Sequence, residues 1–299
     1  MLSRFALMTA LVTASCSAWA NDILTSIKPI QMITHELTAG VSEPDVLLSA
    51  NASPHDYALR PSDVKRIHQA SLVIWFGPDL EPFLEKVLSS HKNVLTLSAV
   101  PELQLRAYSA EELEHGHDDG HHHHGTHDPH FWLGIEQAKQ VAVAIAARLS
   151  ENDAQHAQVY AANLQRFLAQ ADETDAAIRA QLADVTSAPY YVFHDAYAYF
   201  EQRYGLNNLG HFTVSPDRKP GAKTLIAIRR SLAQNQAKCV FSEPQFQPAV
   251  IETVVRGSQA HIGILDPLGT DVEVKAGSYF AFLHQLSDSY HQCLSQSVD

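Results

Sequence analysis

Residues 154–183 read AQHAQVYAANLQRFLAQADETDAAIRAQLA. The run holds neither Gly nor Pro, and Tyr160, Leu164, Phe167 and Ala171 recur every three or four residues. That is the period of a helix with one buried stripe. Asp153, just before it, stands where a helix N-cap is expected. About 30 residues rising 1.5 Å each make a rod of about 45 Å, long enough to traverse a two-lobed protein. The preceding run from Ile135 carries Val141, Ile145 and Leu149 at the same spacing, and predicts a separate helix ending near Leu149. A continuous helical connector opposes wide closure, because it cannot absorb the φ/ψ changes that a loop hinge absorbs.

Both sides of this rod alternate strands with helices. Before it, Ile23–Ile27, Asp45–Leu48, Leu72–Phe76 and Val94–Leu97 are short runs rich in Val, Ile and Leu. Helical patterns over Pro29–Ala39, Ser62–Ala70 and Leu80–Ser89 separate them. After it, Tyr190–Phe193, Asn208–Phe212, Cys239–Phe241 and Ile262–Leu265 repeat the pattern, and a last helix spans Ser278 to about Leu294. Short apolar strands joined through helices imply parallel sheets with right-handed crossovers. The expected fold class is therefore α/β. Two lobes (21–152 and 185–299), each a mostly parallel sheet flanked by helices, are joined by one long rigid α-helix (153–184).

Composition narrows the function. Among 299 residues, 45% are hydrophobic and 18% charged, so the chain can bury real cores. Its formal net charge of -12, with no basic block, argues against a nucleic-acid partner, because phosphate binding needs clustered Lys and Arg. Residues 1–20 read as a signal peptide: Arg4, an apolar stretch from Phe5 to Val12, and Ala18-Trp19-Ala20 as the cleavage site. No later segment is apolar enough to span a bilayer, so no stable membrane insertion is expected after cleavage. Cleavage removes Cys16 and leaves Cys239 and Cys293, an even pair in an exported chain. Paired, they would tie the last helix to a core strand; unpaired, they would be two buried thiols.

Histidine is the compositional anomaly, with 18 in one chain. Seven of them (His115, His117, His121, His122, His123, His124 and His127) fall within the Glu111–His127 stretch among Asp, Glu and Gly. Almost no apolar residue accompanies them, so the stretch cannot pack and reads as a surface loop with metal-binding chemistry. Four other residues are expected just past strand ends: His55, His130, His194 and Asp266. In open α/β folds the carboxyl ends of strands face the binding crevice, so two residues from each half can converge between the lobes. Pro54, Pro129 and Pro267 stiffen three of the four positions. Three imidazoles and one carboxylate make a tetrahedral set that suits Zn²⁺, whereas Mn²⁺ favours more carboxylate oxygen.

At this point the residues match a family. The chain resembles the periplasmic zinc-uptake substrate-binding proteins of ABC transporters, within the metal-binding class that has a rigid helical backbone between lobes. The resemblance is carried by Pro-His-Asp-Tyr-Ala-Leu-Arg-Pro-Ser-Asp (54–63), the Leu72–Pro78 strand with its Gly-Pro exit, and the acidic His-rich loop running into Asp-Pro-His-Phe-Trp (128–132). It continues through Phe-His-Asp-Ala-Tyr (193–197), Gly-His-Phe-Thr (210–213), Glu-Pro-Gln-Phe (243–246) and Leu-Asp-Pro-Leu-Gly (265–269). It implies that His55, His130 and His194 bind zinc, that a histidine at the third position separates zinc from manganese members, and that Cys239 and Cys293 form a disulfide. Some members carry Glu before the first ligand histidine; here that residue is Pro54, which leaves the fourth position to Asp266, water or a loop histidine. A weaker second site is implied at His211 with the loop histidines.

The expectation is a monomeric periplasmic carrier, not an enzyme, that takes Zn²⁺ to the inner-membrane permease of an ABC importer. The alternative is a secreted zinc-dependent hydrolase, since three histidines and a water also make a catalytic shell. That reading lacks a His-Glu-x-x-His pair and a Gly-x-Ser-x-Gly elbow. Asp195 and Glu243 could be nominated as its base, but both read more naturally as groups that support the ligands or cap a helix.

Overall fold

In the computed structural model, residues 22–108, 126–214, 216, 219–246 and 249–297 are described. Eight named strands form two sheets. The first holds β1 (Ile23–Thr25), β2 (Asp45–Val46), β3 (Leu72–Trp75) and β4 (Val94–Thr96) in the order β2-β1-β3-β4. The second holds β5 (Pro189–His194), β6 (Asn207–Thr213), β7 (Cys239–Ser242) and β8 (His261–Ile264) in the order β6-β5-β7-β8. Every pairing is parallel. All four residues of β3, Leu-Val-Ile-Trp, are buried, as a strand covered on both faces by helices requires. In each sheet the chain leaves its first strand toward one edge and returns on the other side. The crevice positions therefore lie between β1 and β3 and between β5 and β7.

The helices are α1 (Lys28–Thr38), α2 (Pro61–Gln69), α3 (Pro82–Leu88), α4 (Ile135–Asn152), α5 (Ala157–Leu182), α6 (Ala198–Tyr204), α7 (Ala222–Ala233), α8 (Ala249–Val255) and α9 (Ser278–Leu294). The long helix starts three residues later than its periodicity suggests, because a 3₁₀ turn over Ala154–His156 precedes it. Asp153 marks that junction, its carboxylate accepting from Tyr160 Oη at 3.0 Å and meeting His156 Nδ1 at 2.7 Å. Helix α5 buries Tyr160, Asn163, Phe167, Ala171, Thr174, Ile178 and Leu182; of the residues its spacing singles out, Leu164 is only half-buried, and Asn163 takes the inner position.

That stripe packs on elements of both halves. Asn163 Nδ2 donates to the carbonyls of Leu37 and Ala39 at 2.7 and 3.0 Å, satisfying the open end of α1. Phe167 meets Tyr279 and Phe280 of α9 at ring separations of 5.7 and 5.1 Å. Truncating Phe167 to Ala would therefore cost about 3–5 kcal/mol. A disulfide joins Cys239 of β7 to Cys293 of α9, closing a chain separation of 54 residues. Among the described residues, no helix is long and apolar enough to cross a membrane. Residues 1–20 and nearly all of the His-rich stretch lie outside the described residues.

Candidate metal centre

Three imidazoles from distant parts of the chain converge in a narrow cleft lined also by Ser53, Trp132, Glu243 and Phe246. His194 is the last residue of β5, beside the crevice position of the second sheet. His55 sits in the irregular segment between β2 and α2, its backbone N–H donating to Ser53 Oγ at 3.3 Å. Asp63 at the start of α2 steadies that segment by accepting from Tyr57 Oη (3.0 Å) and the Arg60 backbone N–H (2.9 Å). His130 departs from the strand-end rule. It follows an isolated antiparallel bridge, Ala107 to His127, and opens a 3₁₀ turn over Phe131–Leu133. Trp132, in that turn, donates from Nε1 to the Pro267 carbonyl at 2.7 Å, tying the turn to the Asp266 loop.

His130 Nε2 lies 3.2 Å from His55 Nε2 and 3.4 Å from His194 Nε2. Nitrogens bound tetrahedrally at about 2.0–2.1 Å from Zn²⁺ would stand about 3.3 Å apart. The spacing fits that ion. The outer nitrogens explain why Nε2 faces inward. His130 Nδ1 meets Asp128 Oδ1 at 2.8 Å, and His194 Nδ1 meets Glu243 Oε1 at 2.6 Å. A carboxylate on Nδ1 takes that nitrogen's proton in a hydrogen bond and leaves Nε2 as a lone pair. Two such lone pairs facing each other at 3.4 Å repel unless a cation lies between them.

Burial sharpens this preference. His130 and His194 are each 2% exposed. Burial, and then the nearby His194, hold the His130 pKa well below its ordinary value, so the ring stays neutral and able to ligate. Burial pushes Asp128 up to about 6, with the Arg106 guanidinium opposing the rise. Asp128 is thus ionised at neutral pH and acts as an acceptor. Arg106 bonds Asp128 Oδ2 through Nε (3.2 Å) and Asp195 Oδ2 through Nη2 (3.2 Å).

Residues 23–293 match the family model described as ZnuA, zinc-uptake complex component A, periplasmic. The chain belongs to this family. It is 44% identical to the high-affinity zinc uptake system protein ZnuA of Yersinia pestis, over 98% of each chain. It is 40% identical to the protein of the same name from Haemophilus ducreyi, over 92% of this chain and 94% of that one. A crystal structure of a zinc-bound ZnuA lacking residues 138–173 superimposes with a TM-score of 0.77 at 24% identity, covering 93% of this chain and 99% of that one. The last comparison shows a shared fold.

Within this family member, His55, His130 and His194 form the one group among the described residues whose ligand atoms converge closely enough to hold a metal, all within 4.8 Å of one another. Asp266 is not part of that group. Its carboxylate braces its own loop instead, accepting from the Leu268 N–H (3.1 Å), the Thr270 N–H (2.5 Å) and Gln245 Nε2 (2.8 Å). Gly269 in that loop has φ +63°, and a Cβ there would stand 2.9 Å from the Phe282 ring, so only glycine fits. His211 is half-buried on β6 in register with Val192, and among the described residues it joins no second metal group. His127 is half-buried at the root of the His-rich stretch. His115, His117 and His121–His124 lie outside the described residues.

Asp128 and Arg106 are absent from the ligand set read off the sequence. Asp128 had a local signal, the Asp-Pro-His triplet that sets its carboxylate two residues before the ring it holds. Arg106 had none, for its partner Asp195 lies 89 positions away.

Proposed function

We infer that this protein is the zinc-capturing component of an ABC import system, binding Zn²⁺ through His55, His130 and His194 and delivering it to an inner-membrane permease. The observation that carries the reading is the pair of Nε2–Nε2 distances, 3.2 and 3.4 Å, with carboxylates on the far nitrogens of two rings. The fourth coordination position goes to water, since Asp266 spends its oxygens on the 266–270 loop. An N₃ set with one solvent position suits Zn²⁺ better than Mn²⁺. Family membership supports a periplasmic location after removal of the leader, and supports the permease as partner. The His-rich stretch with His211 is proposed as a weaker auxiliary zinc site.

Carriage fits the cleft better than hydrolysis. A zinc hydrolase needs a base free to take a proton beside the open position. Here Asp128 and Glu243 are bonded to ligand rings, and Asp195 to Arg106. The deciding experiment is metal analysis of the purified protein with competitive titration against Zn²⁺ and Mn²⁺. One tight Zn²⁺ that is lost in His194→Ala, with Mn²⁺ much weaker, is expected. Tight binding that survives His130→Ala and His194→Ala together would overturn the ligand assignment.

A further inference from the structure

Two of the three ligand histidines are buried and have their outer nitrogens held by carboxylates, His194 by Glu243 and His130 by Asp128. His55 is placed differently. It is the half-buried member of the group and lies in the irregular segment between β2 and α2. That segment leaves the sheet after the Leu48 N–H donates to the Ser26 carbonyl at 3.0 Å, and Asp63 takes hold of it again at Tyr57 and Arg60. Among the described residues, the hydrogen bonds that tie residues 49–54 to distant parts of the chain come from the second lobe. Both end on the Ala50 carbonyl.

The donors are Thr270 Oγ1 and Gln245 Nε2, each at 3.4 Å. The contacts are long, and their direction comes from how the donors are held. Gln245 Nε2 carries two protons. One faces Asp266 Oδ1 at 2.8 Å and the other Thr270 Oγ1 at 3.1 Å. The Asp266 carboxylate also decides which end of the amide is nitrogen, since an amide oxygen at that distance would be repelled. The Thr270 hydroxyl accepts from Gln245, so its own single proton is left for Ala50. The Thr270 backbone is pinned on both sides. Its N–H donates to Asp266 Oδ2, and its carbonyl accepts from Lys28 Nζ of α1 at 2.9 Å. Lys28 belongs to the first lobe, so Thr270 is fixed relative to both lobes.

We propose that Thr270, oriented by Gln245, is a positioning residue for zinc capture: its hydroxyl docks the 49–55 segment on the second lobe and so places His55 opposite His130 and His194. The proposal rests on the assignment of His55 as a zinc ligand. Thr270 does not line the cleft, so its effect passes through His55. Without the dock, zinc must order that segment as well as fill the site, and ordering backbone costs entropy.

The test measures zinc affinity by chelator competition in the full mature chain as wild type, Thr270→Val, Thr270→Ser, His55→Ala and the His55→Ala/Thr270→Val double variant. Thr270→Val keeps the shape and deletes the hydroxyl, and should weaken zinc about three- to tenfold, the worth of one hydrogen bond. Thr270→Ser keeps the donor and should bind as wild type does. In His55→Ala the segment no longer carries a ligand, so adding Thr270→Val should cost nothing further. A group that acts on the fold in general would cost the same factor in both backgrounds. Wild-type affinity in Thr270→Val overturns the proposal, as does an equal loss in both backgrounds or a Thr270→Ser variant as weak as Thr270→Val. Wild-type affinity in His55→Ala would instead overturn the ligand assignment, and the proposal with it. Should Thr270→Val not fold, Gln245→Met, which removes the orienting donor, takes its place in the same cycle and is judged by the same two affinities.

Discussion

His194 Nδ1 lies 2.6 Å from Glu243 Oε1, a contact between the crossover ends of two adjacent strands, β5 and β7, 49 positions apart in sequence. Glu243 is 3% exposed, so the pair is desolvated and its geometry is held by the sheet. Glu243→Ala should weaken zinc by about 10–100-fold, the usual cost of losing a group that orients a ligand histidine. Glu243→Gln should lose less, because the amide oxygen still accepts from Nδ1. Chelator competition reads both. Equal losses would mean that the charge of Glu243, not its hydrogen bond, is what the site uses.

Asp266 offers a sharper discrimination. As a loop brace, its removal should destabilise the metal-free protein by ~1–3 kcal/mol through three lost hydrogen bonds, and should weaken zinc less than His194→Ala does. Denaturant melts of the metal-free Asp266→Ala variant, alongside zinc titration, test this. A zinc-bound crystal structure with an Asp266 oxygen at about 2.0–2.2 Å from the metal would make it a ligand instead.

The pH dependence of stability should carry the mark of two buried carboxyls. Glu81 accepts from the Phe76 N–H at 2.9 Å, and Glu201 from Tyr190 Oη at 2.9 Å and from Asn208 Nδ2. Burial raises each to about 7 from the ordinary value of 4.5. Between those values the folded protein keeps protons that the unfolded chain releases. Their contribution is thus whole below about 4.5 and lost as pH rises through about 7. Glu81→Gln cannot lose a proton, so its Tm should gain on wild type steadily between about pH 5 and about pH 8. A constant Tm difference across that range would show that Glu81 does not titrate with folding.

The Ala107–His127 bridge brings the two ends of the His-rich stretch together at its root. Removing residues 111–125 should therefore leave the root intact. We expect fewer zinc ions bound per chain, with the tightest affinity almost unchanged. Loss of tight binding would mean that the stretch supplies a primary ligand.

The element order was legible because its signals are local. A three-to-four spacing of apolar residues makes a helix wherever it occurs, and of that stripe Tyr160, Phe167 and Ala171 are buried, while Leu164 is half-buried and Asn163 takes the inner position. Likewise β3 reads as an unbroken apolar run because both its faces are covered. His194 stands at the carboxyl end of a central parallel strand, where the strand-end argument places it, and converges there with His55 and His130. The strand-end argument misled for His130, whose position depends on an antiparallel bridge with no run of alternating residues to announce it. It also groups Asp266 with the three histidines, whereas in the structure that carboxylate accepts from N–H groups of the turn after β8.

Sequence alone determined which residues could carry the chemistry: histidines beside prolines, an acidic His-rich stretch, and the cysteines Cys239 and Cys293. Tertiary structure decided which atoms do so. Asp128 and Glu243 select Nε2 over Nδ1, and Arg106 reaches Asp195 from the other side of the long helix in sequence. The reason is physical. Helix and strand periodicities report backbone geometry over a few residues, whereas a hydrogen bond between side chains 49 or 89 positions apart exists only once the sheets and the helix between them have packed.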